Sequence, residues 1–268
     1  MKKIIPLLIA LQVVTMLCYS QVSSIPYGKN PYTGRYYKIR GFKIYCEVYG
    51  EGTPVLMIHG NGGSIASFSQ TIPYFEEKYM VIAVDSRAQG NSIDKSDTLT
   101  FEMMADDFSV LLDSLHIKKT YVIGWSDGGI CALLMAIRHP DQVIKLASTG
   151  ANLWPGYEPI KPSEWKSMQR QYKGQLHRTW PTAVEKNDWK ITELDEFQPN
   201  IPLAALRKIQ CPSLVICGDR DVIPVKHTVL ISKNIQKGHL WIVPNSGHAT
   251  LIEHSDEFNE KVDDFFSH

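Results

Sequence analysis

The feature that most constrains the fold of this chain is a series of short apolar runs, each ending in a glycine-rich or polar loop. The runs occupy residues 54–59, 80–85, 121–124, 144–147, 213–217 and 240–243. Their continuous apolar character is typical of strands that are buried on both faces. Between them, residues 101–115, 128–138 and 256–266 carry apolar side chains at helical spacing. This alternation predicts an α/β domain with a mostly parallel central sheet, covered by helices on both faces. Residues 36–40 and 43–49, on either side of Gly41, predict a hairpin before it.

One segment interrupts the alternation. Residues 151–205 contain Trp154, Trp165, Trp180 and Trp189 but no strand-like run. We interpret this segment as a lid insertion over the carboxyl edge of the sheet, where such folds bind ligands. The alternative is a solvent-exposed loop, but four tryptophans disfavour a surface that covers nothing. The core domain is then predicted in two parts, residues 21–150 and 206–268.

The first twenty residues have the layout of an export signal. Lys2 and Lys3 precede an apolar run over residues 4–17, and small side chains at Cys18 and Ser20 precede Gln21. This pattern predicts a signal peptide over residues 1–20 and export to the periplasm or the medium. A buried N-terminal helix is one alternative. Another is a lipid anchor at Cys18, which the bulky Leu17 before it disfavours.

Charge and cysteine content exclude several classes of protein. Lys plus Arg and Asp plus Glu both number 28, and no basic stripe occurs, which disfavours nucleic acid or an anionic membrane surface as a partner. Cysteines beyond the predicted signal stand at positions 46, 131, 211 and 217 without CxxC spacing. They predict neither a metal site nor a disulfide framework. Pairing among them and the oligomeric state stay open.

The motif with the clearest chemistry is Gly124-Trp125-Ser126-Asp127-Gly128, which matches G-x-S-x-G. It stands directly after a predicted strand and directly before a predicted helix, the context in which this motif forms a sharp turn around a nucleophilic serine. A serine hydroxyl needs a neighbouring base to be reactive at neutral pH. Ser126 is therefore the predicted nucleophile.

The base and the acid are expected from later loops, in the order Ser, Asp, His. His248 follows the strand at residues 240–243 and is the predicted base, with His254 as the alternative. Asp219 and Asp221 both follow the strand at residues 213–217, and a tight turn allows only one of them to reach the histidine. We favour Asp221 as the triad acid, which would hold the correct imidazole tautomer. Asp219 then caps the turn.

A tetrahedral intermediate also needs hydrogen-bond donors for its oxyanion. The backbone N–H of Asp127, the residue after the nucleophile, is one predicted donor. The backbone N–H of Asn61, in the glycine-rich loop after the first parallel strand, is the other. A simple turn is the alternative for that loop.

These landmarks together resemble the α/β-hydrolase superfamily over nearly the whole chain after residue 20. The resemblance is carried by the His59-Gly60 loop, residues 85–92, the Ser126 turn, residues 218–224 and Gly247-His248. Residues 124–130, 150–152 and 256–259 are more closely similar to the biphenyl-hydrolase-like (valacyclovir hydrolase) group. The stretch Arg87-Ala88 departs from the family's usual Arg-Gly pairing, and Arg87 is interpreted as structural.

The resemblance implies an acyl-enzyme mechanism on a small carboxylic ester, without a metal or organic cofactor. In the biphenyl-hydrolase-like group the acidic residue after the nucleophile binds the amino group of an α-amino-acid ester, a role that would fall on Asp127. The competing interpretation is an aspartate favoured by the helix dipole in a first turn. Hydrolysis of a lactone, an amide or a carbon–carbon bond by the same triad is an alternative reaction. A catalytically silent protein that binds a small ligand is an alternative of another class.

Overall fold

The computed structural model describes residues 25–268, and eight strands in this part of the chain form a single sheet. The strands are β1 (Gly34–Ile39), β2 (Phe42–Tyr49), β3 (Thr53–Ile58), β4 (Tyr79–Asp85), β5 (Thr120–Trp125), β6 (Val143–Thr149), β7 (Ser213–Gly218) and β8 (Gly238–Val243). Their order across the sheet is β1-β2-β4-β3-β5-β6-β7-β8. β1 and β2 form the predicted antiparallel hairpin, β2 pairs antiparallel with β4, and β3 to β8 are mutually parallel.

Helices cover both faces of the sheet, as the apolar pattern predicted. They are α1 (Ile72–Phe75), α2 (Phe101–Ser114), α3 (Asp127–Arg138), α4 (Pro162–Gln175), α5 (Ala183–Phe197), α6 (Leu203–Leu206), α7 (Val225–Asn234), α8 (Thr250–Glu253) and α9 (Ser255–Ser267). Alternate residues of one strand enter different cores. Leu56 and Ile58 pack in the core beneath α2 and α3, whereas Val55 and Met57 pack in the core beneath α1 and α9. This two-sided burial explains why β3 carries four successive apolar residues, Val55 to Ile58. The predicted fold class is confirmed.

The order of the strands creates the place where a ligand binds in such sheets. β3 lies between β4 and β5, so the chain leaves β3 toward one side of the sheet and later returns on the other. Loops that leave the two neighbouring strands β3 and β5 diverge at their carboxyl ends and open a crevice there. The loop after β3 begins at His59 and the turn after β5 contains Ser126.

Residues 151–205, the predicted lid insertion, contain α4, α5 and most of α6, and α4 packs against α5. The tryptophans of this insertion pack both within it and against the core, where Trp154 meets the ring of His227. Trp165 is buried against Ile160 and Ile223, and Trp180 stacks on Trp189 with ring centroids 5.6 Å apart.

A buried ion pair joins the insertion to the core. Lys190 of α5 donates to Asp94 Oδ2 at 2.8 Å. Asp94 also pairs with Arg87, which is bound by Asp107 through two hydrogen bonds. Arg87 thus serves the structure of the core rather than the crevice.

The four cysteines at positions 46, 131, 211 and 217 are buried and unpaired with one another. Burial raises the pKa of the Cys46 thiol to about 12 and that of Cys217 to about 11, which keeps both protonated and unreactive. No helix within residues 25–268 is long and apolar enough to cross a membrane. The predicted signal peptide at residues 1–20 lies outside the described residues.

Candidate active site

The turn between β5 and α3 holds Ser126 in a strained backbone conformation. Ser126 has φ 55° and ψ −117°, a region that residues with a side chain rarely occupy. Hydrogen bonds on both sides support it: Ser126 N donates to Thr149 O at 2.8 Å, and Ile130 N donates to Ser126 O at 3.0 Å. The turn raises the hydroxyl above the carboxyl edge of the sheet.

Both glycines of the motif are required by close backbone contacts. A Cβ at Gly124 would lie 2.1 Å from the carbonyl oxygen of Gly128, and a Cβ at Gly128 would lie 1.9 Å from that of Ile58. Neither contact involves a flexible side chain, so any larger residue would have to move the backbone. The motif therefore folds in this way because α3 begins in direct contact with β3 and β5.

Three of the predicted site residues form one hydrogen-bonded chain. His248 Nε2 lies 2.9 Å from Ser126 Oγ, and His248 Nδ1 lies 2.7 Å from Asp221 Oδ1. Because a carboxylate only accepts, the proton on Nδ1 points to Asp221 and leaves Nε2 free to accept from the serine hydroxyl. The same Asp221 oxygen accepts from Ile223 N at 2.9 Å, which holds the carboxylate in place.

The alternative residues lie elsewhere. Asp219 is exposed and its backbone N–H donates to Val243 O, so its carboxylate belongs to the turn after β7. His254 lies at the junction of α8 and α9, where its ring reaches Asn245 O at 3.5 Å. The geometry therefore brings Asp221 and His248, and not their alternatives, to Ser126.

The loop after β3 runs directly beside Ser126. A Cβ at Gly60 would lie 3.0 Å from the Ser126 Cβ, so the loop approaches as closely as glycine allows. Among the backbone hydrogen bonds of residues 25–268, the N–H groups of Asn61 and Asp127 have no acceptor. The Asn61 side chain also reaches the turn between β5 and α3, where its Nδ2 donates to Asp127 Oδ2 at 3.1 Å.

Residues outside the predicted set hold this loop and the histidine loop. His59 Nε2 accepts from Ser86 N at 3.1 Å, and burial lowers the His59 pKa, so this histidine is a neutral structural group. Gln89 Oε1 accepts from Gly62 N at 2.8 Å. Trp125 Nε1 donates to the backbone oxygen of His248 at 2.9 Å. The sequence does not reveal these three contacts, because several other side chains could make the same hydrogen bonds.

A cavity of about 370 Å³ opens above Ser126. Its lining combines the floor of the crevice with the lid insertion and consists of Gly60, Asn61, Trp125, Ser126, Asp127, Asn152, Ile160, Glu164, Met168, Gln171, Asp195, Val222, Ile223 and His248. Three of these are acidic and none is Lys or Arg. None of the four tryptophans of the insertion is among them. This volume suits a small organic molecule.

Two carboxyl groups in the cavity have raised pKa values, and of these Asp127 is buried whereas Asp195 is half-buried. Burial raises the pKa of Asp127 to about 6, against the opposing effects of the Asn61 hydrogen bond and of His248. Burial also raises the pKa of Asp195 well above its usual range, and the nearby negative charge of Asp127 adds to this. Asp195 was not singled out from sequence, because only the folding of α5 over the crevice brings it there.

With this geometry in hand, comparison with known proteins decides the family. The family model described as the alpha/beta hydrolase fold matches residues 53–189, which contain β3 to β6, the Ser126 turn and most of the lid insertion. The chain belongs to the α/β-hydrolase fold family. Within residues 25–268 no group of three or more His, Cys, Asp and Glu side chains could hold a metal ion.

Relatives of this α/β hydrolase cover most of its length. Serine hydrolase BPHL of Homo sapiens is 29% identical over 245 residues, covering 85% of this chain and 84% of the relative. The 2-hydroxymuconate semialdehyde hydrolase of Pseudomonas sp. (strain CF600) is 25% identical over 276 residues, covering 89% and 95%. These likenesses confirm the resemblance inferred from the motifs.

Among solved structures, the chain is similar to the meta-cleavage product hydrolase CumD of Pseudomonas fluorescens IP01. The TM-score is 0.72 at 21% identity, covering 88% of this chain and 98% of that one. This likeness shows the fold alone. Family and relatives together identify the protein as an enzyme, a hydrolase, as the motif order predicted.

Proposed function

We propose that this hydrolase cleaves a small carboxylic ester through an acyl-enzyme on Ser126 and favours esters of α-amino acids. The observation that carries the proposal is the continuous hydrogen-bonded chain from Asp221 through His248 to Ser126, at the floor of a cavity that Asp127 also lines. A nucleophile, an oriented base and a place for the acyl group are then present together.

The first half of the reaction follows from the positions of the protons. Ser126 Oγ attacks the ester carbonyl while His248 Nε2 takes the hydroxyl proton, and Asp221 stabilises the resulting imidazolium. The N–H groups of Asn61 and Asp127 are proposed to receive the oxyanion, because both lie beside Ser126 without another backbone acceptor within residues 25–268. His248 then returns its proton to the leaving alcohol.

The second half repeats these steps with water. His248 takes a proton from a water molecule, the hydroxide attacks the acyl carbon, and the acid product leaves as Ser126 regains its proton. No step requires a group other than the protein and water.

The charge of the cavity supports the preference for an amine. Asp127, Asp195 and Glu164 line it, and within residues 25–268 none of the three forms an ion pair. A buried carboxylate is costly unless a cation or hydrogen bonds offset it. A protonated amine on the substrate would supply that cation, whereas an anionic substrate would be repelled.

Two assays test the proposal. Hydrolysis of 4-nitrophenyl acetate by the parent protein and by Ser126→Ala should differ by several orders of magnitude, and equal rates would contradict the proposed mechanism.

Comparison of L-phenylalanine methyl ester with methyl 3-phenylpropanoate tests whether the enzyme prefers an ester that carries an amino group. The amino ester should have the higher kcat/KM, and Asp127→Asn should abolish the difference. If Asp127→Asn slows both esters equally, Asp127 does not bind the amine.

Export is proposed separately, on the pattern of residues 1–20 alone. Expression of the full chain followed by N-terminal sequencing of the periplasmic fraction tests it. A new N-terminus near Gln21 is expected. An uncleaved chain would contradict the signal peptide, and a lipid-modified Cys18 would support the anchor instead.

A further inference from the structure

The carboxylate of Asp195, in the lid insertion, lines the same cavity as the carboxylate of Asp127, next to Ser126. Asp195 belongs to α5, which crosses above the crevice, whereas Asp127 begins α3 at its floor. The substrate cavity is therefore bordered by one acidic group from the core and one from the insertion.

The Asn61 side chain sets the relation between these two groups. Its Nδ2 donates to Asp127 Oδ2 at 3.1 Å and to the backbone oxygen of Ile191 at 3.3 Å. Ile191 precedes Asp195 by four residues, which is about one turn on the same face of α5. Asn61 thus ties the helix that carries Asp195 to the carboxylate of Asp127.

The pair has no cation of its own. No Lys, Arg or His in residues 25–268 forms an ion pair with Asp127 or Asp195. Burial raises the pKa of both carboxyl groups, and for Asp195 the negative charge of Asp127 adds to the effect. Like charges in one cavity disfavour each other, so a cation bound between the two carboxyl groups would stabilise the charged form of both.

We propose that Asp127 and Asp195 together bind one primary ammonium group of the substrate, with Asp195 as the residue that selects it over a quaternary ammonium. This inference rests on the proposed function, because it names the second contact for the same amine. A primary ammonium has three N–H donors and can bond to both carboxylates at once, whereas a trimethylammonium has none.

The position of the pair also limits where the amine lies on the substrate. Asp127 follows Ser126 directly in the chain, so an ammonium group beside Asp127 lies close to the carbonyl that Ser126 attacks. An amine on the carbon next to that carbonyl fits this placement, and Asp195 approaches it from the insertion. Binding keeps all three ammonium protons on nitrogen.

The test compares three variants on three esters. The variants are Asp195→Asn, Asp127→Asn and, as a matched control, Asp188→Asn, which removes an exposed carboxylate of α5 outside the cavity. The esters are L-phenylalanine methyl ester, its N,N,N-trimethyl derivative and methyl 3-phenylpropanoate. The readout is the ratio of kcat/KM for each cationic ester to that for the neutral ester.

In the parent protein the primary amine should be preferred over the trimethyl derivative. Asp195→Asn should lower the ratio for the primary amine by about tenfold or more, the worth of one charge-assisted hydrogen bond, and change the trimethyl ratio little. Asp188→Asn should alter neither ratio. The neutral ester reports folding, because a misfolded variant would lose it too.

Each other outcome has a separate meaning. If the parent protein does not prefer the amino ester to the neutral ester, the substrate class under the proposed function is wrong, and this inference falls with it. A second outcome is that the parent protein prefers the amino ester and Asp127→Asn removes this preference. If Asp195→Asn then leaves the preference unchanged, as the control Asp188→Asn should, only the role of Asp195 is overturned. Equal slowing of all three esters by Asp195→Asn would also overturn it, as the sign of a purely structural role.

Discussion

The side-chain amide of Asn61 donates to the carboxylate of Asp127 at 3.1 Å and so joins the loop after β3 to the first residue after the nucleophile. The two residues whose N–H groups are proposed to bind the oxyanion are thereby held to each other through their side chains. Because oxyanion stabilisation depends on donors that are already in position, we expect this bond to support catalysis under the proposed function.

The choice of Asp221 over Asp219 predicts a sharp difference between two similar variants. Asp221→Asn should lower kcat on 4-nitrophenyl acetate by roughly 10³- to 10⁴-fold, as in other Ser-His-Asp triads, because His248 loses its oriented tautomer. Asp219→Asn, in the exposed turn two residues earlier, should leave kcat unchanged. Steady-state kinetics of both variants at one pH is the measurement, and the reverse ranking would assign the acid to Asp219.

Gly128, in the crowded turn around Ser126, and Gly174, in the open helix α4, are predicted to respond oppositely to substitution by alanine. Gly128→Ala should lower the free energy of unfolding by more than about 3 kcal/mol, because its Cβ would lie 1.9 Å from a backbone oxygen. Gly174→Ala, where a Cβ in α4 meets no atom within 4 Å, should raise it by about 0.5 kcal/mol through helix propensity. Urea denaturation measures both values. Similar changes in the free energy of unfolding for the two variants would mean that the turn around Ser126 can relax to accept a methyl group.

Burial of Asp127 predicts a pH-dependent gain in stability for Asp127→Asn. The folded-state pKa of about 6 exceeds the usual value of 3.8, so the native state holds this proton more tightly than the unfolded state. The wild-type protein therefore loses stability as the pH rises from about 4 through about 6. The variant lacks this loss and should be more stable above pH 6 by up to about 3 kcal/mol.

The comparison of unfolding free energies at several pH values checks this. The advantage of Asp127→Asn should shrink toward zero as the pH falls to about 4. A constant difference at every pH would show that the carboxyl group does not titrate with a raised pKa. The same variant is expected to lose amine preference, so stability and selectivity should change in opposite directions.

The ion pair between the insertion and the core predicts a strong effect for Lys190→Met. The variant removes one of the two cations that pair with the buried Asp94 and leaves Arg87, which also binds Asp107, as its remaining partner. The free energy of unfolding should fall by about 3 kcal/mol. KM for the amino ester should rise, because α5 also carries Asp195.

A matched control is available on the same helix. Lys186→Met removes an ion pair with Asp97 whose carboxylate is largely exposed, and it should change neither stability nor KM measurably. Urea denaturation and steady-state kinetics report on both variants. An equal loss in the two would show that the charge of α5, rather than the buried pair, holds the insertion.

Much of this architecture was predictable from local pattern. The apolar runs became β3 to β8, the helical spacing became α2, α3 and α9, and the motif stands between β5 and α3 as its neighbours indicated. These features are local because a strand buried on both faces carries a run of apolar residues, and a helix carries apolar residues at helical spacing, both visible in a short stretch of sequence. Ser126 and His248 were predictable for the same reason, since each stands in the loop after a recognisable strand.

The choice between Asp219 and Asp221 was different. The two carboxylates are two residues apart after β7, and sequence spacing alone does not state which one turns toward His248. The backbone of the turn decides it: Asp221 is buried and bonded to Ile223 N, whereas Asp219 stays exposed.

By itself the sequence determined the strands, three of the helices that cover them and the place of the serine motif between β5 and α3, because each depends on side chains within a few residues. Only the tertiary structure decided what surrounds that nucleophile. Asp195 lies 69 positions after Ser126 and reaches the cavity because Lys190 and Asn61 hold α5 over the crevice. A carboxylate that is ordinary on an exposed helix acquires its raised pKa only when folding removes its water and brings Asp127 near.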